Sequence, residues 1–180
     1  RFETLDAMGR TGEALAALQK LTDAFPFNTE YKFLCASYAK KTGQEEKAKQ
    51  YYRDILAIDP ENSRAKLAMA SSEKLEGDDI GYLQSIKPVI TNPGVEIDVK
   101  LRELIPYVVD LSTTRDSVMG QTLLDLIQHL VKTHPKEAKS YAIQGDVLSI
   151  LGYEKEAIDS YTQSTALNGN VYAVWEQLLT

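Results

Sequence analysis

Little in this chain of 180 residues invites chemistry. It has one cysteine, Cys35, two histidines and one tryptophan. A single thiol excludes an intrachain disulfide and a cysteine-rich zinc cluster, and it is compatible with either cytoplasm or a bacterial periplasm. His129 and His134 lie five residues apart, about 140° around a helix, so they do not form a metal-binding pair. No apolar run approaches the roughly 18 residues of a membrane-spanning helix, and no signal peptide is visible. Glycine-rich phosphate loops, dinucleotide fingerprints and nucleophile elbows are missing. The formal net charge of −6 disfavours nucleic acid and anionic membranes as partners. Together these absences predict a protein that is not an enzyme and carries no cofactor or metal.

What is present is a repeat. Gly9, Gly43 and Gly77 are 34 residues apart, as are Ala14 and Ala48, Pro26 and Pro60, and Asn28 and Asn62. Near the C-terminus, Gly152 is followed by Ala157 five residues on and by Gly169 seventeen on, the interval that also separates Gly9 from Pro26 and Gly43 from Pro60. Apolar spacing reads as helices at Thr11–Ala24, Thr29–Thr42, Glu45–Ile58, Ser63–Glu76, Asp78 to about Thr91, Glu96–Asp110 and Met119–Val131. Pro88 should kink or end its helix early, and Pro106 should kink the next. "LSTTRD" reads as a linker, with Asp116 as an N-cap. His134, beside the helix-stopping Pro135, sits where a helix dipole favours a cation.

The period and its residues resemble the tetratricopeptide repeat (TPR) family, whose unit is a helix A, a tight turn and a helix B. Residues 29–62 place Ala36, Gly43, Ala48, Tyr52 and Pro60 at positions 8, 15, 20, 24 and 32 of that frame, with Lys32 and Cys35 departing from it at 4 and 7. Residues 138–171 place Tyr141, Gly145, Gly152, Ala157 and Tyr161 at 4, 8, 15, 20 and 24, with Asn168-Gly169 as the helix-ending turn. The resemblance implies an all-α, right-handed superhelical solenoid in one array. It has a partial repeat at 1–28, repeats at 29–62 and 63–94, a longer divergent repeat at 95–137, a repeat at 138–171 and the start of another at 172–180, where Trp175 and Leu178 fit positions 4 and 7. Pro93 to Pro135 spans 42 residues, so the divergent unit needs longer helices or an expanded turn. Beginning and ending in mid-repeat, the sequence reads as an excerpt of a longer protein.

In this family a partner lies in a concave groove lined by helix A. Carried over, the groove positions hold Glu30, Phe33, Leu34, Ser37, Lys40 and Lys41 in one repeat, and Arg64, Leu67, Ala68, Ser71, Lys74 and Leu75 in the next. Lys40, Lys74 and Arg64 with Ser37 and Ser71 would make a cationic, hydroxyl-bearing strip over Phe33 and Leu67, suited to an acidic or extended peptide. Lys139, Ala142, Ile143, Asp146, Ser149 and Ile150 occupy the same positions in the later repeat, a more apolar set suited to a helix or hydrophobic segment. The clamp by which some TPR domains hold a chaperone C-terminus is absent, because its positions 5 and 9 hold Phe33 and Ser37, then Leu67 and Ser71. The function implied is a protein–protein interaction scaffold with a protein or peptide partner. The alternatives are self-association through open repeat ends, and a recruiting module of a larger protein whose activity lies elsewhere.

Overall fold

The computed structural model describes residues 2–74 and 77–169. The expected opening of a further repeat at 172–180 lies outside them. Every regular element among the described residues is a helix, and the chain divides into two compact units, Arg1–Leu75 and Glu76–Thr180. None of these helices is long and apolar enough to cross a membrane.

The first unit holds α1 (Phe2–Ala7), α2 (Thr11–Ala24), α3 (Thr29–Lys41), α4 (Glu45–Ile58) and α5 (Ser63–Glu73). The repeated residues are the punctuation between helices. Gly9 and Gly43 have φ of +68° and +73°, a left-handed geometry that costs an L-residue about 1–2 kcal/mol. The amides that follow reach back five residues, Arg10 to the Leu5 carbonyl at 3.0 Å and Gln44 to that of Ala39 at 2.8 Å, which closes a helix end in the Schellman manner. The recurring asparagines open the next helices. Asn28 Oδ1 accepts from the Tyr31 amide at 3.1 Å, and Asn62 Oδ1 from the Ala65 amide at 3.0 Å, each satisfying an orphan donor of the first turn. The core forms where helices A and B approach through small residues: Cys35, Ala36, Ala39 and Ala48 are fully buried, and Tyr52 and Ile55 fill the space beside them. Burial pushes the Cys35 thiol up from its ordinary pKa, which disfavours the thiolate form.

The second unit holds α6 (Asp79–Ser85), α7 (Lys87–Ile90), α8 (Ile97–Thr114), α9 (Ser117–Thr133), α10 (Ala138–Ile150) and α11 (Glu154–Leu167). Its helix pair α10–α11 closes with Gly152 at φ +81° and the Tyr153 amide on the Leu148 carbonyl at 2.9 Å. Gly145 lies directly under the Tyr161 ring, with no room for a Cβ. The expected helix from Asp78 to Thr91 breaks at Ile86, because Pro88 has no N–H to give the Gln84 carbonyl. The expected linker "LSTTRD" is instead mostly helix. Leu111 is fully buried, and Ser112 and Thr114 return their hydroxyls to the Val109 and Asp110 carbonyls at 2.7 and 3.1 Å. The chain leaves α8 only at Arg115, which is left-handed at φ 51°, and Asp116 then caps α9 with two bonds of 2.8 Å. The divergent unit is therefore long because its helices are long. α8 and α9 have 18 and 17 residues, where α3 and α4 have 13 and 14. At 3.6 residues per turn, each gains about one turn.

Two titratable groups lie close together in this unit. Lys100 is fully buried, with Nζ donating to the Asn92 carbonyl at 2.7 Å, and burial lowers its pKa to about 8. His134 is also pushed below its ordinary value, by burial first and then by the Lys100 charge. That reverses the expectation from the helix dipole: desolvation and a neighbouring cation outweigh a half-charge at the α9 terminus.

Two tests follow from this packing. Gly145→Ala should destabilise the chain by about 2–3 kcal/mol through overlap with Tyr161, and Gly152→Ala by only about 1 kcal/mol through backbone strain. Adding Tyr161→Leu to Gly145→Ala should cost clearly less than the sum of the single changes in urea melts; additivity would contradict the contact. Lys100 binds its proton more weakly when folded than unfolded, so stability should rise with pH between about 8 and the unfolded value of 10.5. From pH 7 to 9 this group adds about 1 kcal/mol. That rise should vanish in Lys100→Met, whose urea midpoint should exceed that of the parent at pH 7.

Candidate functional site

The residues assigned to a groove fall on the helix-A elements α3, α5 and α10, and the structure uses them unequally. On α3, Ser37, Lys40 and Lys41 are exposed, and Leu34 is 43% exposed. Phe33 is not an open floor: it is buried against Tyr52, with ring centroids 6.2 Å apart, and roofed by the Arg64 guanidinium at 4.1 Å from its ring. That cation–π contact is worth about 0.5–1 kcal/mol at an exposed site. Arg64 also reaches Glu30 at 3.3 Å, so corresponding positions of successive repeats are joined by an ion pair. Lys41 pairs with Asp6 at 3.3 Å, and Asp6 accepts from the Tyr38 hydroxyl at 2.9 Å.

The cationic strip is accordingly thinner than the residue types suggest. Arg64 and Lys41 are partly neutralised, whereas Lys40 makes no ion pair among the described residues. On α5, Leu67 is half-buried and Ser71 exposed. Lys74 does not continue the helical register of Lys40. α5 ends at Glu73, and Lys74 is its C-cap at φ −59° and ψ 121°, so equal sequence spacing does not give equivalent positions.

In the second unit, Lys139 pairs with Asp98 at 2.5 Å, repeating across α8 and α10 the bridge that Arg64 and Glu30 make in the first unit. That pairing raises the Lys139 ammonium above its ordinary pKa. Ile143 is buried. Asp146 is half-buried and accepts from the Tyr161 hydroxyl at 2.9 Å. Burial lifts its carboxyl above the usual range, opposed by that hydrogen bond, and the Tyr161 hydroxyl is raised in turn. Of the three, only Lys139 is exposed.

Sequence reasoning missed a different part of the helix-A surface. On α8, Arg102, Ile105 and Val109 are exposed while Ile97, Leu101, Leu104, Val108 and Leu111 are buried. The signal was available: five apolar residues already complete one helical stripe, so Ile105 and Val109 belong to a second. Among the described residues no group of three or more His, Cys, Asp or Glu side chains could hold a metal ion.

Residues 29–62 and 138–171 each match the family model for the tetratricopeptide repeat. No curated protein matches the chain. Among solved structures, the MamA protein is similar at 14% identity, with 93% of this chain and 88% of that one covered and a TM-score of 0.54. YrrB, described as a TPR protein with an unusual peptide-binding site, is similar at 12% identity, covering 99% of this chain and 89% of its own, with a TM-score of 0.51. At these identities the likeness is one of fold. Helix–turn–helix pairs and glycine-closed turns accompany both matches, so residues 29–62 and 138–171 are tetratricopeptide repeats, in a chain whose fold is similar to that of the TPR protein YrrB.

Proposed function

We propose that the chain is a protein–protein interaction scaffold whose helix-A faces hold a segment of a partner. The observation that carries this reading is the division of labour on α3. Cys35, Ala36 and Ala39 are consumed by packing, while Leu34, Ser37 and Lys40 are exposed. A surface held rigid by a packed core can bind a segment without ordering itself first. The peptide-binding site named for the similarly folded YrrB agrees with this use of the fold. Recognition rather than reaction fits the side chains, since the one thiol is buried with a raised pKa. A net charge of −6 favours protein over nucleic acid as partner.

A second reading has its own observation. Leu5, Ala16, Ala17, Leu18, Leu21 and Ala24 line a largely apolar hollow of about 510 Å³ on α1 and α2, where a further helix could pack in an assembly.

Two experiments separate these readings. Random peptides selected on the wild-type chain should include binders that lose roughly tenfold in affinity on Leu34→Asp/Lys40→Glu, with the melting temperature unchanged. If every selected peptide binds the variant equally, the α3 face is not a binding surface. Light scattering that shows mass growing with concentration, abolished by Ala17→Arg, would favour assembly through the hollow instead.

A further inference from the structure

Helix α8 presents a face that its own fold does not use. Ile105 and Val109 stand one turn apart, 49% and 61% exposed, with exposed Arg102 three residues before Ile105. Three other charges on this helix have partners. Asp98 takes Lys139, Lys100 donates to the Asn92 carbonyl, and Glu103 accepts from the Tyr82 hydroxyl at 2.6 Å. Asp110 is exposed and lies off this face, about 100° around the helix from Val109; the bond from the Thr114 hydroxyl goes to its backbone carbonyl. Arg102 makes no hydrogen bond or ion pair among the described residues. Two large apolar side chains and an unpaired guanidinium along one edge of a rigid helix are a recognisable docking pattern.

We propose that the Arg102–Ile105–Val109 face of α8 docks an amphipathic helical segment of a partner protein, one with two apolar side chains three or four residues apart and a carboxylate about one turn away. The inference rests on the scaffold reading above and names the partner's chemistry at one face. Ridges of the incoming helix pack against the Ile105–Val109 ridge. The planar fork of Arg102 selects a carboxylate, which it can take with two parallel hydrogen bonds.

The alternative occupant, a second copy of this chain, fits poorly. Among the described helices no other presents two large exposed apolar residues three or four apart. Pairing α8 antiparallel with its copy about the Ile105–Val109 centre sets Arg102 opposite Ser112, and parallel pairing sets Arg102 against Arg102. Neither offers the guanidinium a carboxylate.

The test is selection of random 16-residue peptides on the intact chain and on three variants: Arg102→Glu, Ile105→Ser/Val109→Ser and Lys40→Glu. Wild-type selection should enrich sequences with the apolar pair and an Asp or Glu one turn away. Arg102→Glu should exchange that acid for Lys or Arg. The double serine variant should bind the enriched peptides at least tenfold more weakly while melting at the parent temperature, since both side chains are exposed. Lys40→Glu should leave them bound. The inference fails if no such consensus emerges, if the acid preference survives Arg102→Glu, or if light scattering detects a dimer that the double serine variant abolishes. If enriched peptides are lost in Lys40→Glu but kept by the double variant, the α8 inference falls while the scaffold reading stands.

Discussion

The close approach of paired helices through side chains that are barely there governs the rest of this structure. Gly145 lies under Tyr161, and Ala36 and Ala48 are fully buried beside Tyr52. Small residues let the helices come near, and the tyrosines fill what the small residues leave, at the density expected of a protein interior. The turns must then be short and sharply reversed, which is why Gly9, Gly43 and Gly152 sit at positive φ where they do. Each helix-A element spends one face on this contact. Its remaining face carries side chains that this contact does not require, among them Leu34, Ser37 and Lys40, and the functional reading depends on them.

The enlarged helix pair α8–α9 shows how the repeat tolerates growth. Its extra turns lengthen both helices and leave the bridge between successive helix-A elements in place, since Asp98 still meets Lys139 as Glu30 meets Arg64. The added length, 110–114, keeps Leu111 in the core, while Val109 just before it faces solvent. Buried Lys100 and His134, both pushed below their ordinary pKa by burial, belong to the same enlarged unit.

Whatever recurs was legible in the sequence. The glycines, alanines and tyrosines at fixed spacing indicated the helix pairs, and Asp116 read as a cap. The asparagines of the Pro-x-Asn signature were visible, although their role as N-caps emerged only from their hydrogen bonds. What recurs less strictly misled. Lys74 has the spacing of Lys40 but follows a helix that ends one residue earlier. Phe33 holds a groove position yet is roofed by Arg64. "LSTTRD" has a linker's composition, but a buried leucine and back-bonded hydroxyls keep most of it helical. The last two misses share one cause: local sequence was read without the packing contact that overrides it.

The central claim is that binding belongs to the helix-A faces and folding to the A–B contacts. Amide hydrogen exchange on the chain alone, and then saturated with a peptide selected on it, tests this most directly. The account predicts that the added protection concentrates in helix-A elements (29–41, 63–73, 97–114 and 138–150), with 45–58 and 154–167 unchanged. Protection that concentrates in 45–58 and 154–167, with the helix-A elements unchanged, would contradict it.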